Sequence, residues 1–182
     1  RFTIEAAWET AEEAASADSA AWQAAVAAAG AQVQLQSAGG WADLGDGVAL
    51  WVLGPPAQGF SGEDADNENS LVTSLVYGDF RVLLTGDAGV FAETQLLAAR
   101  APLPATVLKV AHHGSKGSTG APFVQAVNPA LAVIQVGADN DYGHPSTETL
   151  QRLAGRAVLR TDENGRIEIT SDGWQVWVET EK

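Results

Sequence analysis

The chain has 182 residues, of which 46% are hydrophobic, and this composition suits one domain with a substantial core. It argues against wholesale disorder and against two comfortably sized domains. The formal charge of −13 excludes an overall basic footprint, so sequence-independent nucleic-acid binding by this chain alone is not expected. A metal-dependent site remains compatible with this charge, because a bound ion supplies local positive charge.

Two absent residue types restrict the chemistry further. The chain has no cysteine, which excludes disulfides and thiolate metal sites and leaves His112, His113 and His144, with carboxylates, as candidate metal ligands. It has no methionine either, so we expect that Arg1 is not the native N-terminus and that a segment precedes it. Because no apolar run has the length of a membrane span, we expect any membrane link to lie outside these residues.

The first predicted element is an alanine-rich helix. Residues 10–13, Thr-Ala-Glu-Glu, have the pattern of a capping box, and Gly30 is a plausible helix end. One helical face would consist of Trp22, Ala25, Val26 and Ala29. Such a helix could bind a partner, but a surface helix packed on the domain is the more ordinary interpretation.

Strand-like runs follow this helix. The predicted strands cover residues 33–35, 48–53, 70–77 and 80–85, and an acidic, glycine-containing loop covers residues 59–69. Gly54-Pro55-Pro56 would stop the second strand. Gly78 and Asp79 separate the last two strands by the two residues typical of a tight β-hairpin.

From residue 85 onward, strands and helices alternate. The predicted helices cover residues 90–99, 122–127 and 146–153, and the predicted strands cover residues 106–111, 131–136, 158–161, 166–170 and 174–178. Ser146 is the expected N-cap of the last helix. Asn164-Gly165 and Asp172-Gly173 are the expected hairpin turns between the last three strands. Without an internal repeat or a dividing linker, the pattern predicts a single α/β domain with helices layered on a sheet.

Candidate catalytic or metal-binding side chains come directly after two of the apolar strands. Asp87 ends the segment LLTGD, where a carboxylate at a strand end suits a functional site, although an ordinary turn aspartate has the same pattern. His112 and His113 end the segment LKVAHHGS and suit metal binding, although a capping or core pair is the alternative. Lys109, in the same segment, is more simply an exposed strand residue.

A third such segment, VGADNDYGHPS, places Tyr142 and His144 in a loop before a helix N-terminus, which favours anions such as phosphate. A turn with Ser146 as N-cap is the alternative interpretation. The ends of parallel strands in an open α/β sheet converge on one crevice, so we expect Asp87, His112 and His144 to lie close together. Aspartate and histidine without cysteine suit Zn²⁺ or Mn²⁺ with an activated water.

In this order and spacing, LLTGD, LKVAHHGS, VGADNDYGHPS and LRTDENG resemble the metallo-β-lactamase domain of ComEC/Rec2 competence proteins. The resemblance covers most of the chain from about Val48 onward. The ordered set is specific, whereas GD or HHG alone is not. It implies an α/β fold of the metallo-β-lactamase type, an αββα sandwich, of which residues 1–182 would form one partial, C-terminal portion.

The resemblance also implies roles for individual residues. Asp87 would be catalytic and would bridge two ions of Zn²⁺ or Mn²⁺. His112 would be a metal ligand, with His113 as the adjacent alternative, and His144 would bind phosphate or donate a proton. Substrate-binding residues would be Lys109, Ser115, Asn140 and His144, and Asn69 and Ser70 would support the site.

One departure from the family pattern is important. The family's first metal motif, His-x-Asp-x-Asp-His or similar, lies upstream, and this chain has no histidine before His112. We therefore expect that the native protein continues N-terminally, and that residues 1–182 alone bind metal weakly or not at all and are inactive. A degenerate, non-catalytic relative is the alternative.

The resemblance implies a metal-dependent nuclease that degrades one strand of incoming DNA while a membrane channel domain of the same polypeptide imports the other. The chain would then be a soluble, extracytoplasmic domain of a bacterial membrane protein. Two alternatives remain. The resemblance to the wider metallo-β-lactamase fold also implies a hydrolase of choline phosphate esters or lactones. The missing upstream motif would instead suit a structural or partner-binding module that has lost its metals.

Overall fold

A computed structural model describes residues 3–10 and 17–182 and shows a mixed α/β architecture, as the sequence predicts. The strands in these residues are β1 (Ala6–Glu9), β2 (Gln32–Leu35), β3 (Trp41–Gly45), β4 (Val48–Gly54), β5 (Val72–Tyr77), β6 (Phe80–Leu84), β7 (Val107–Lys109), β8 (Leu131–Ile134), β9 (Ala157–Arg160), β10 (Ile167–Ser171) and β11 (Val176–Thr180). The helices are α1 (Ala17–Ala29), α2 (Ala65–Glu68), α3 (Val90–Ala98), α4 (Ala121–Val127), α5 (Thr147–Arg152) and α6 (Thr161–Asn164), and a short 3-10 turn covers Ala111–Gly114.

Seven strands form the central sheet, in the order β3-β4-β5-β6-β7-β8-β9. The strands from β3 to β6 pair antiparallel, and those from β6 to β9 pair parallel. We call β3–β5 the antiparallel half and β6–β9 the parallel half. The parallel strands need crossovers, which α3, α4 and α5 supply in turn. The carboxyl ends of β6, β7, β8 and β9 therefore lie at one edge of the sheet.

The core lies between this sheet and the three crossover helices. Leu83 of β6 and Leu108 of β7 are fully buried in one apolar cluster with Leu96 of α3 and Phe123 of α4. Ile134 of β8 belongs to a second cluster that α4 and α5 complete. Burying a side chain of this size contributes roughly 1.5–3 kcal/mol. The packing thus fixes the strands against one another and sets where their carboxyl ends emerge.

The structure confirms most predicted elements and corrects others. Gly30, with φ +71°, ends α1, and Ser146 caps α5 by accepting the N–H of Thr149. The capping box predicted at residues 10–13 falls largely on residues 11–16, which lie outside the described residues. The predicted loop 59–69 is wrong in part, because α2 forms within it and places acidic side chains in its own first turn.

The β-hairpin predicted at Asn164-Gly165 is wrong, because the strands on either side of it do not pair with each other. The helix α6 follows β9 directly, and the Asn164 side chain accepts the N–H of Arg160, so the chain leaves the central sheet here. The next two strands form a separate antiparallel pair, whose connection contains the predicted Asp172 and Gly173. The Gly173 carbonyl accepts the N–H of Asp79 (2.8 Å) and attaches this pair to the β5–β6 turn.

The sequence patterns did not predict β1 or β3. The first has four residues and pairs in parallel with β2 only, and the second contains Asp43 and Gly45, which strands disfavour. The seven-stranded sheet confirms the mixed α/β class, and the αββα sandwich stays a prediction. No helix in residues 3–10 and 17–182 combines the length and the apolar character that crossing a membrane requires.

Candidate functional site

One cavity opens at the carboxyl edge of the parallel strands. Its lining residues are Asp87, His112, His113, Tyr142 and His144. The structure thus brings together Asp87, His112, His113 and His144, the site residues that the sequence selects after three separate strands, and Tyr142 joins them from the loop that carries His144. The prediction that Asp87, His112 and His144 lie close together at one edge of the sheet is confirmed.

Asp87 follows β6 in a backbone that neighbouring side chains fix. Thr85 is buried and donates its hydroxyl to the Lys109 carbonyl (2.7 Å), which ties the ends of β6 and β7 together. The Ser70 hydroxyl accepts the Asp87 N–H (2.9 Å), so Ser70 supports the site as the resemblance implies. Gly86 has φ +54°, and a Cβ there would lie 2.8 Å from Ser70 Cβ. The Asp87 carboxylate lines the cavity, and its side chain is 40% exposed.

His112 and His113 occupy an unusual backbone conformation. Their φ angles are +48° and +54°, in the left-handed region that non-glycine residues rarely adopt. Such a conformation persists only where its surroundings enforce it, and the His112 N–H donates to the Gly86 carbonyl (3.1 Å). The two rings are 6.5 Å apart with their planes at 73°, so the turn directs them differently within one cavity.

His113 has the contacts that are typical of a metal-binding imidazole. Its Nδ1 lies 2.7 Å from the Gln135 carbonyl, which places the ring proton on Nδ1 and leaves Nε2 unprotonated in the neutral form. That Nε2 lies 4.0 Å from Asp87 Oδ1. Ligand atoms at about 2.0–2.2 Å from one ion lie only slightly closer than this to each other. The resemblance favours His112 as the ligand, whereas these contacts favour His113.

The His144 ring lies next to the His112 ring, with centroids 6.0 Å apart. The Asn140 side chain holds its backbone, since Oδ1 accepts the His144 N–H (2.9 Å) and Nδ2 donates to the His144 carbonyl (2.8 Å). Burial lowers the pKa of His144, and the nearby His112 and His113 lower it further. The neutral imidazole is therefore favoured near pH 7.

The other residues predicted to bind substrate have different environments. Lys109 is half-buried, and burial lowers its pKa while the Asp87 carboxylate acts in the opposite direction. The Ser115 hydroxyl accepts the N–H of Gly117 (3.3 Å), and its carbonyl accepts the Thr149 hydroxyl (2.8 Å). The Asn140 side chain makes its hydrogen bonds to Gly137 and His144, within the loop that carries His144. Substrate binding by these three residues stays a prediction.

No sequence pattern predicts the network that holds the loop after the histidines. Glu93 of α3 is 2% exposed, and its carboxylate accepts the N–H groups of Thr119 and Gly120. Burial raises the pKa of Glu93 to about 7, although these two hydrogen bonds lower it. Arg152 of α5 donates to the Ser118 carbonyl (2.8 Å) from the other side. A glutamate in an amphipathic pattern predicts only a solvated position.

The donor set fits part of a metal site. Asp87 and His113 offer an oxygen and a nitrogen donor of the kind that Zn²⁺ and Mn²⁺ accept. In residues 3–10 and 17–182, no group of three or more His, Asp or Glu side chains could hold a metal ion. An ion at this edge would need further ligands besides these two.

Known proteins resemble this chain over part of its length, although no family model matches it. It is 43% identical over 104 residues to ComE operon protein 3 of Bacillus subtilis (strain 168), and 38% identical over 107 residues to competence protein ComA of Neisseria gonorrhoeae. It is 36% identical over 107 residues to recombination protein 2 of Haemophilus influenzae (strain ATCC 51907 / DSM 11121 / KW20 / Rd). These matches cover 56%, 57% and 58% of the chain, but only 13%, 15% and 13% of the relatives. By sequence, the chain is therefore similar over more than half its length to a short part of competence and recombination proteins.

Proposed function

We propose that this chain forms the carboxyl-edge portion of a metal-dependent phosphodiesterase that hydrolyses DNA during its uptake. The observation that carries the proposal is the convergence of Asp87, His113 and His144 on one cavity, with the His113 Nδ1 anchored on a backbone carbonyl. The names of the relatives support a role in DNA handling. The proposal includes a metallo-β-lactamase fold and a second group of metal ligands outside this chain.

In this proposal, Asp87 and His113 would hold the metal. A bound Zn²⁺ or Mn²⁺ supplies a Lewis acid and an acidified water for hydrolysis. Ser70 and Thr85 keep Asp87 in place through the backbone, and the Gln135 carbonyl keeps the His113 lone pair directed toward Asp87. The ligands are thus oriented before the ion binds, which reduces the entropy lost on binding.

His144 would act on the substrate instead of the metal. Its lowered pKa keeps the imidazole neutral near pH 7, so one ring N–H can donate to a phosphate oxygen or to the leaving oxygen. Asn140 fixes its backbone on both sides. The parent protein would be a bacterial membrane protein with a channel domain, and this portion would lie on the outer side of the membrane.

Specific observations favour two other functions. The formal charge of −13 suits a small or cationic substrate better than a polyanion, which favours a hydrolase of choline phosphate esters or lactones. The described residues contain no group of three metal-binding side chains, which favours a module without catalytic activity. The hydrolase alternative uses the same metal site and differs only in its substrate, whereas a module without catalytic activity gives no role to the anchored His113 beside Asp87.

An activity assay on the full-length protein separates these functions. With Mn²⁺ or Zn²⁺ present, we expect hydrolysis of DNA and none of choline phosphate esters or lactones. Asp87→Ala should abolish DNA cleavage, because it removes the carboxylate donor. Asp79→Ala is the matched control, since Asp79 lies exposed in the β5–β6 turn at the opposite end of β6. Equal activity of Asp87→Ala and Asp79→Ala would refute the proposed site.

A further inference from the structure

Tyr142 is the most exposed aromatic residue at the cavity. It is 83% exposed and lines the same cavity as Asp87 and the three histidines. Its ring lies 5.9 Å from the His144 ring, with the planes at 20°, which is an offset stack. Because so much of the ring faces solvent, Tyr142 contributes little to the core. Its conformation presents an aromatic face at the mouth of the site.

The loop that carries Tyr142 is held on both sides. The Asn140 amide donates to the Gly137 and His144 carbonyls (both 2.8 Å), which closes the loop around residues 141–143. After it, the Ser146 N–H donates to the Gly114 carbonyl (2.9 Å). A ring that is already positioned loses less conformational entropy when a ligand packs on it.

The charges at the cavity do not explain how a polyanion would bind. Besides Tyr142, the lining consists of one carboxylate and three histidines, and the chain carries a formal charge of −13. The nearby Lys109 is half-buried, and burial lowers its pKa. A bound metal ion would attract the scissile phosphate, but the lining side chains offer little further positive charge for the rest of a nucleic acid. Aromatic stacking is the sequence-tolerant contact that single-stranded nucleic acids use.

We infer that Tyr142 stacks on an unpaired nucleobase whose own phosphate lies at His144. A single sugar joins a base to its phosphate, and His144 is the ring next to Tyr142, with the two centroids 5.9 Å apart. In a duplex the base faces are covered by neighbouring bases, so the site takes single-stranded DNA or a frayed end. The inference rests on the proposed phosphodiesterase and specifies its substrate class.

Three variants of the full-length protein test this inference: Tyr142→Ala, Tyr142→Phe and Trp174→Ala. Trp174 is the matched control, because it is 75% exposed and lies beside the β5–β6 turn, remote from the cavity. With a single-stranded oligonucleotide, Tyr142→Ala should raise KM on the order of 5- to 150-fold and leave kcat nearly unchanged. Tyr142→Phe and Trp174→Ala should behave like the wild type. An abasic residue beside the scissile phosphate should remove the difference between Tyr142→Ala and wild type.

Two results would overturn the inference. One is an equal loss in Tyr142→Phe and Tyr142→Ala, which would assign the effect to the hydroxyl. The other is an undiminished loss in Tyr142→Ala on the abasic oligonucleotide, which would assign the effect to the conformation of the loop.

Fluorescence anisotropy of the same oligonucleotides without metal tests the stacking separately from the proposed hydrolysis. Tyr142-dependent binding without hydrolysis would refute only the phosphodiesterase, and hydrolysis without Tyr142 dependence would refute only the stacking. Absence of both binding and hydrolysis would refute both.

Discussion

The two halves of the central sheet differ in how their strands are connected. In the antiparallel half, Gly78 and Asp79 join β5 to β6 within two residues, and the exposed Trp41 and Trp51 stack on each other across β3 and β4. In the parallel half, each strand is followed by a longer segment that emerges at the same edge. Tight turns leave little chain for a binding site, whereas crossover connections gather several loops at one place.

The two halves can also be compared by where positive φ angles occur. In the antiparallel half, positive φ angles fall at turn residues such as Asp46 and Gly78, where they close hairpins. In the parallel half, they also fall at loop and helix-end residues such as Arg100 and Asn128, but His112 and His113 have positive φ angles in succession and line the cavity. Strain of this kind is expected where surrounding contacts enforce it for function. Apolar strands of one sheet thus end in tight turns in one half and carry the side chains that line the cavity in the other.

The largest expected effect is the loss of bound metal when the His113 side chain is removed. In the full-length protein, His113→Ala should lower metal affinity by more than the ~10–100-fold typical of a residue that only orients a ligand, because it removes a donor nitrogen. His112→Ala should retain most of the metal. Isothermal titration with Mn²⁺ and Zn²⁺ measures both. If His112→Ala loses the metal and His113→Ala keeps it, the contact of His113 with Asp87 is not a ligand geometry and the family-implied choice of His112 is correct.

A second expected effect concerns the packing of the loops at this edge. Gly114 has φ +85°, and a Cβ there would lie 2.5 Å from Pro145 Cβ. Gly114→Ala should therefore destabilise the fold by about 2–5 kcal/mol, through overpacking and a strained φ. Gly137→Ala is the matched control, because a Cβ at Gly137 meets nothing within 4 Å. Urea unfolding measures both variants, and a similar free energy of unfolding for the two would show that these loops do not pack tightly.

The smallest expected effect is a pH dependence of stability from Glu93. Burial raises its folded-state pKa from 4.5 to about 7, so between these values the folded state binds more protons than the unfolded state. Stability from this group is then fully present below pH 4.5, falls as the pH rises, and is constant above about pH 7. Relative to Glu93→Gln, the wild type should lose up to about 3 kcal/mol across this window. Urea unfolding at several pH values measures the difference, and parallel profiles would contradict the buried, titrating carboxylate.

The sequence was sufficient for features that depend on local pattern. The apolar run before it predicts Asp87 at a strand end, and Ser146 is predicted as a cap because serine is favoured directly before a helix. The β5–β6 hairpin followed from Gly78 and Asp79. These features need only the residues next to them, and parallel alignment then brings the strand ends together.

Other features depend on contacts between distant residues and could not be predicted. The choice between His112 and His113 depends on backbone angles and on the Gln135 carbonyl, which lies 22 residues from His113. Glu93 resembles any helix-surface glutamate until Thr119 and Gly120 approach it. The strand β3 forms against its local propensity, because pairing with β4 outweighs the unfavourable residues.

The most direct test of the central claim is an anomalous diffraction map of the full-length protein with Mn²⁺ or Zn²⁺ bound. We expect an anomalous peak at the carboxyl edge of the parallel half, about 2.0–2.2 Å from an Asp87 carboxylate oxygen and from His113 Nε2. His144 should lie outside the coordination shell and remain on Asn140. A peak that contacts neither Asp87 nor His113, in a protein that hydrolyses DNA, would contradict the assignment of this edge as the catalytic site.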